Sequence, residues 1–157
     1  WVKQTKVLMQ VDNNDYAFPF DCLHEDGKNF VKTMLSLADT HKELRVVNDQ
    51  YGTPTTTVEL ANMLWYLAQT EQYGIYHGTC EGSTTWYEFA KEIFRVFHKQ
   101  VIVHPVTSEE YNAKADRPEY SVLDNHKLNT ETDYRMKDWK EALLDYGKRY
   151  GEKGGEA

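Results

Sequence analysis

The chain has 157 residues, of which 40% are hydrophobic and 13% aromatic, a composition typical of one globular domain rather than a disordered segment. Its 18 basic and 25 acidic residues give a formal net charge of −7, which argues against a general nucleic-acid or anionic-membrane surface. A small anionic ligand is compatible with this charge, because it needs only one or two local Arg, Lys or backbone N–H donors. No run approaches the roughly 18 apolar residues of a membrane span and no secretory leader is recognisable, so we expect a cytoplasmic protein without a membrane partner.

The cysteines and histidines show no spacing typical of a disulfide framework or a metal site. The two cysteines, Cys22 and Cys80, lack CxxC spacing, which favours a reduced protein whose thiols are buried or idle. The six histidines are scattered without an HxH or HExxH pair, and the proximity of His77 to Cys80 does not stand out from chance. We therefore predict no metal site.

The beginning of the chain, residues 1–25, is left unassigned apart from a short predicted strand at residues 7–11, and nothing in it resembles a glycine-rich dinucleotide turn. The pattern becomes clear at Asn29, which can cap a helix whose apolar residues recur at helical spacing over residues 30–38. A short strand is predicted to follow at residues 44–47.

The run RVVNDQYGTPT at residues 45–55 is the most informative feature of the chain. Two β-branched residues give way to a polar turn, which opens into a second helix through Thr56 with Glu59 three positions on. The side chains at this turn are short and polar, which suits the lip of a binding pocket.

Further elements follow in order. Residues 73–78 form a short apolar run between glycines that predicts a buried strand. Thr85 with Glu88 predicts a capping box at the start of a third helix, and a strand at residues 101–103 is expected to stop at Pro105.

The last third contains one predicted helical turn at residues 108–113 and an exposed loop at residues 115–120, stiffened by Pro118. Asp138 is predicted to cap a final helix, and residues 151–157 read as a flexible tail. Helices thus alternate with short strands, which predicts an α/β domain over residues 26–150 with about four helices and several short strands, too few for a complete doubly wound sheet.

Three groups of residues have a possible chemical role, and each also has a purely structural interpretation. Tyr87 and Lys91 have the YxxxK spacing of a proton-relay pair, but no dinucleotide loop accompanies them, so a surface helix is favoured. Gly82 precedes a helix start that can hold an anion, although a loop and cap explain it as well. Arg117 could bind a phosphate or pair with Asp124, and these alternatives stay open.

Six motifs together resemble the C-terminal half of the dTDP-4-dehydrorhamnose reductases, in the same order and with similar spacing from residue 26 to residue 150. They are GKNFVKTML at 27–35, VVNDQYGTPT at 46–55, GIYH at 74–77, WYEFAKEIF at 86–94, RPEYSVLDN at 117–125 and DWKEAL at 138–143. Tyr87 and Lys91 match the later WYEFAKEIF helix rather than the catalytic pair of that family.

The resemblance implies an extended short-chain reductase, which reduces the 4-keto group of dTDP-4-dehydro-L-rhamnose with NADPH or NADH. In that family the N-terminal half carries the glycine-rich turn and the catalytic Tyr-Lys, and the C-terminal half closes over the nucleotide sugar. Carried over by position, the substrate-binding residues are Asn29, Gln50 and Arg117, with Thr55 and Lys32 as further candidates. No catalytic, cofactor-binding or metal-binding residue is assigned.

We therefore expect the C-terminal, sugar-nucleotide-binding part of such a reductase, with the Rossmann half and its NADP or NAD missing and the chain alone inactive. The alternatives are a non-catalytic module that binds a dTDP-sugar weakly, or a remnant of a truncated gene without function. Because the missing half would leave apolar surface uncovered, we also expect a homo-oligomer.

Overall fold

The computed structural model of the chain describes residues 6–7, 29–112 and 117–154. Its helices are α1 (Phe30–Ala38), α2 (Thr57–Ala68), α3 (Trp86–Val96), α4 (Ser108–Tyr111), α5 (His126–Glu131) and α6 (Trp139–Gly154). Its strands are β1 (Lys6–Val7), β2 (Glu43–Val47), β3 (Tyr51–Gly52), β4 (Ile75–Tyr76), β5 (Thr84–Thr85) and β6 (Ile102–Val106). β1 pairs with β4 and β2 with β6 in parallel, whereas β3 and β5 are antiparallel. This mixture confirms the predicted α/β class.

The four longest helices begin where the sequence predicts, because each has a polar cap. Asn29, Thr56 and Thr85 each accept a hydrogen bond from the backbone N–H three residues on, at 2.9, 3.2 and 3.2 Å. Asp138 Oδ1 accepts from the Lys140 N–H at 2.8 Å. None of the helices within the described ranges is long and apolar enough to cross a bilayer.

The complete capping box lies on the short α4. There Thr107 accepts from the Glu110 N–H while the Glu110 carboxylate accepts from the Thr107 N–H. On α3, the Thr85 hydroxyl caps as predicted, but the Glu88 carboxylate contacts Lys91 at 3.1 Å.

Several boundaries differ from the sequence prediction. Strand β6 does not stop at Pro105 but continues to Val106, with Pro105 paired opposite Val46. Proline is tolerated because β6 pairs on one side only among the described residues, so the missing N–H faces no neighbouring strand. Helix α6 reaches Gly154, four residues into the predicted tail, and residues 155–157 lie outside the described residues.

The strand predicted at residues 73–78 is shorter than expected, and only one of its two faces is buried. Only Ile75 and Tyr76 form β4, and Tyr76 is fully buried while Ile75 is 52% exposed and Tyr73 54% exposed. Successive side chains of a strand point to opposite sides, so a short apolar run can bury one side alone. Helix α5 was also not predicted, because it has six residues and buries Leu128 alone, which leaves no apolar period in its sequence.

The described residues form two hydrophobic cores. The larger core packs α1, α3 and α6 against β2 and β6, with Phe89 stacked on Phe30 at 5.5 Å and edge-on to Trp139 at 5.8 Å between ring centroids. The smaller core joins α2, β4 and α5; its buried members are Leu60, Met63, Leu67, Tyr76, Leu128 and Met136.

One lysine connects the helices of the two cores. Lys137 Nζ lies 3.0 Å from Asp145 Oδ2 on α6 and 3.2 Å from Glu59 Oε1 in the first turn of α2. Glu59 is buried, and an unpaired buried carboxylate would be costly. Hydrogen bonds to Asp145 and Glu59 raise the pKa of Lys137, so it stays charged and holds the two helices together.

Candidate functional site

The turn between the two cores, residues 48–56, is here called the junction, and its polar side chains bind other elements. Thr85 Oγ1 donates to Asn48 Oδ1 at 2.8 Å, which ties the junction to the start of α3. Asp49 accepts from the Ser108 N–H at 2.7 Å and from Ser108 Oγ at 2.6 Å, which ties it to α4. Burial opposes the charge of Asp49, but the bonds from Ser108 outweigh burial and lower the pKa of this carboxyl.

Gln50 is buried, and both ends of its amide are engaged. Its Nε2 donates to Ser108 Oγ at 2.8 Å, and its Oε1 accepts from Trp86 Nε1 at 3.2 Å. A continuous chain of hydrogen bonds therefore runs from Trp86 through Gln50 and Ser108 to Asp49. Such a satisfied, partly buried network fixes the side chains that belong to it.

The second half of the junction holds the segment that leads into β5. Thr53 Oγ1 donates to the Gly82 carbonyl at 2.9 Å, and Thr55 Oγ1 accepts from the Cys80 N–H at 3.1 Å. Gly82 has φ +80°, and a Cβ there would lie 3.0 Å from Asp138 Oδ2. The path into β5 therefore requires a glycine at this position.

The exposed side of the junction carries Tyr51, which anchors the segment 117–121, here called the loop. The Tyr51 N–H donates to the Glu119 carbonyl at 2.7 Å. The Tyr51 carbonyl accepts from both the N–H and the Oγ of Ser121, each at 2.9 Å. Arg117 lies in the same loop and is exposed, so the structure brings Gln50 and the Arg117 segment to one region.

Beside Tyr51 an open groove of about 750 Å³ runs along α3, from its start to Arg95 in its last turn. This volume is in the range of small-molecule sites. The lining residues are Asn48, Tyr51, Ser83, Thr84, Thr85, Glu88, Lys91, Glu92, Arg95, Trp139 and Lys140. The lining is polar and carries both signs of charge.

The YxxxK pair shows the features of a surface helix. Lys91 Nζ lies 3.1 Å from both carboxylate oxygens of Glu88 and 4.8 Å above the Tyr87 ring centroid. The hydrogen bond that Lys91 donates to Glu88 is the largest cause that raises the pKa of Lys91. The lysine is thus committed to a neighbouring carboxylate on its own helix, which supports the plainer interpretation.

The five predicted substrate-binding residues lie in two places. Gln50, Thr55 and Arg117 belong to the junction and the loop, with Gln50 and Thr55 buried. Asn29 is buried at the start of α1, where it caps the helix and Nδ2 donates to Tyr146 Oη at 3.4 Å. Lys32 is half-buried one turn further on. Their assignment as ligand contacts stays a prediction.

The sequence reading missed the exposed tyrosines of this region. Tyr51 is 45% exposed and Tyr120 is 67% exposed, and their ring centroids lie 6.4 Å apart. A large aromatic residue next to the glycine of a polar turn was the available signal, since a tight turn leaves its side chain at the surface.

Cysteine and metal chemistry add nothing to this site. Burial raises the pKa of the Cys80 thiol to about 12, so it stays protonated and inert, as predicted for this cysteine. Cys22 lies outside the described residues. No group of three His, Cys, Asp or Glu side chains that could hold a metal occurs within residues 29–112 and 117–154.

Comparison with known proteins identifies the family. A family model described as the RmlD substrate binding domain matches residues 21–151. The spore coat polysaccharide biosynthesis protein SpsK of Bacillus subtilis is 46% identical over 120 residues, which cover 76% of this chain and 42% of SpsK.

Two solved structures agree with this match. A dTDP-4-dehydrorhamnose reductase from Clostridium acetobutylicum superposes with a TM-score of 0.75 at 48% identity, covering 81% of this chain and 45% of that protein. The Bacillus anthracis reductase in complex with NADP gives a TM-score of 0.71 at 41% identity over 76% of this chain and 42% of its own. The chain therefore spans less than half the length of these relatives, and it belongs to the dTDP-4-dehydrorhamnose reductase family, of which it contains the substrate-binding domain.

Proposed function

We propose that this chain supplies the sugar-nucleotide-binding wall of a dTDP-4-dehydrorhamnose reductase. In the complete enzyme the bound dTDP-4-dehydro-L-rhamnose would be reduced at its 4-keto group by a nicotinamide cofactor. The observation that carries the proposal is the attachment of the loop to the junction through Tyr51, with N–H···O distances of 2.7 and 2.9 Å, beside a groove of about 750 Å³. These two segments carry two of the six motifs that resemble the family.

Arg117 is the residue best suited to the diphosphate of such a ligand. Its guanidinium is exposed and forms no ion pair within the described residues. The predicted alternative partner, Asp124, accepts instead from the His126 N–H at 2.8 Å. A planar guanidinium can bind two phosphate oxygens at once, so an exposed arginine of the loop without an ion pair favours an anionic ligand.

Calorimetry with dTDP-L-rhamnose tests this binding role. We expect measurable heat at millimolar ligand for the 157-residue chain and at least a several-fold weaker affinity for Arg117→Ala, because a charge-assisted bidentate contact is lost. Arg45→Ala is the matched control, since Arg45 is also exposed but lies on β2. Absence of heat with the unaltered chain would contradict the proposal, and equal affinities of the two variants would remove Arg117 from it.

We also propose that the 157 residues bind without turning the substrate over. Hydride transfer needs a cofactor cradle and a proton donor, and no glycine-rich dinucleotide motif occurs in this sequence. The B. anthracis relative was solved in complex with NADP, so NADPH is the reductant to use. The measurement is NADPH absorbance with dTDP-4-dehydro-L-rhamnose, and oxidation by the chain alone would refute this part.

Self-association is the third element of the proposal. Trp65, Tyr73 and Ile75 on and around α2 and β4 are 70%, 54% and 52% exposed. Apolar surface of this kind tends to be covered by a partner, and we propose a second copy of the chain. The expected result is a mass above that of the monomer in light scattering at high concentration.

A further inference from the structure

Two tyrosine rings stand together at the surface where the junction meets the loop. Tyr51 and Tyr120 are 45% and 67% exposed, and their ring centroids are 6.4 Å apart with an interplanar angle of 37°. Paired rings at this distance make one aromatic surface, whose phenolic hydroxyls can both donate and accept hydrogen bonds. Neither ring belongs to the two hydrophobic cores.

The backbone beneath these rings is held from both sides. Tyr51 and Tyr120 form a parallel bridge that is closed by the bonds from Tyr51 N–H to Glu119 and from Ser121 to the Tyr51 carbonyl. On the other side, the ladder between β3 and β5 pairs Tyr51 with Thr85. The rings therefore stand on a preorganised support, and a ligand that stacks on them need not order a flexible loop first.

We propose that Tyr51 and Tyr120 form a stacking platform for the planar base of the nucleotide, an inference that rests on the proposed binding of a dTDP-sugar. Any base can stack on aromatic side chains, whatever hydrogen-bonding groups its edge carries, because every base has a π face. Each such stack contributes about 5- to 150-fold in affinity.

The position of Arg117 supports a nucleotide on this platform rather than an unrelated apolar ligand. Arg117 lies three residues before Tyr120, and three extended residues span at most about 10 Å. A base on the rings therefore leaves its phosphates within reach of the guanidinium. The platform and the cation would bind different parts of one molecule, so their contributions can be measured separately.

The experiment compares dTDP, inorganic diphosphate and methyl α-L-rhamnoside as ligands of the full 157-residue chain by calorimetry. The variants are Tyr51→Ala/Tyr120→Ala, Tyr51→Phe/Tyr120→Phe and the control Tyr111→Ala, whose side chain is similarly exposed at 56%. We expect the double alanine variant to bind dTDP at least about tenfold more weakly with unchanged diphosphate binding, because only the base loses its contact. The double phenylalanine variant and the control should keep their affinity for dTDP.

Other outcomes overturn the platform in distinguishable ways. Unchanged dTDP affinity in the double alanine variant removes the platform but leaves the proposed function intact. Equal loss of dTDP and diphosphate means that the rings only hold the loop, and loss of rhamnoside binding alone assigns them to the sugar. If the unaltered chain binds no dTDP, both the platform and the proposed function fail. An NOE between tyrosine ring protons and the thymine methyl group is the direct confirmation.

Discussion

Helices α2 and α3 have nearly the same length, 12 and 11 residues, but very different outer faces. The exposed side of α3 is charged, with Glu88 paired to Lys91 and Glu92 paired to Arg95. The exposed side of α2 carries no charge and includes Trp65 at 70% exposure. A charged outer face is typical of a helix that faces solvent, whereas an apolar outer face is typical of a helix that another surface covers. Along these two helices, the larger core thus presents charged side chains to solvent, whereas the smaller core presents uncharged ones.

The largest expected effect tests whether the two cores differ in stability. Phe89→Ala should lower the free energy of unfolding by about 3–5 kcal/mol, because it empties the centre of the larger core. Leu67→Ala should cost about 2–5 kcal/mol, with the loss concentrated in the smaller core. Urea denaturation gives the totals, and amide hydrogen exchange locates them.

The comparison breaks if Leu67→Ala removes amide protection from α3 as much as from α2, since the two cores would then unfold as one unit. Arg95→Ala is the control for both variants. The side chain of Arg95 is 66% exposed and that of its partner Glu92 is 15% exposed, so loss of this ion pair should change stability by only about 1 kcal/mol.

The next effect concerns the uncharged exposed side of α2. Trp65→Ser should reduce self-association without lowering stability, because the side chain is 70% exposed and packs on little in the folded chain. Ile102→Ser is the matched control, since Ile102 is 58% exposed but lies on β6 of the larger core. Sedimentation or light scattering over a concentration series measures both. A stronger effect of the Ile102 variant would place the contact surface on the larger core instead of on α2.

The smallest effect is a pH dependence at the junction. A lowered pKa means that Asp49 stabilises the fold above its unfolded value of about 3.9 and that this stability is lost as the pH falls through the lower folded value. Ser108→Ala removes one of the bonds responsible, so the loss of stability as the pH falls below about 4 should become shallower. Ser36→Ala on the exposed side of α1 is the control, and thermal unfolding across that pH range is the measurement. Parallel curves for the two variants would contradict the role given to Ser108.

Local signals predicted the helices, and long-range contacts explain what was missed. Asn29, Thr56 and Thr85 cap helices through bonds to residues three positions away, so their role is written in the adjacent sequence. The strand at Ile102–Val106 could not be delimited from Pro105 alone, because its extent depends on pairing with β2.

The site shows the same division. The sequence predicted the junction and Arg117 as binding segments, but it could not show that Gln50 is engaged by Trp86 and Ser108, which lie 36 and 58 positions away. It also passed over Tyr51, whose importance follows from contact with a loop that starts more than sixty residues later. Residues of this kind acquire their role only when the chain has folded.

The attachment of the loop has a consequence for how such a domain can diversify. Apart from the Ser121 hydroxyl and the contact between the Tyr51 and Tyr120 rings, the loop is held to Tyr51 by main-chain atoms. The side chains of Arg117 and Glu119 can therefore be exchanged while the loop stays in place. A single scaffold can in this way present different side chains at a few surface positions, and its fold does not need to change.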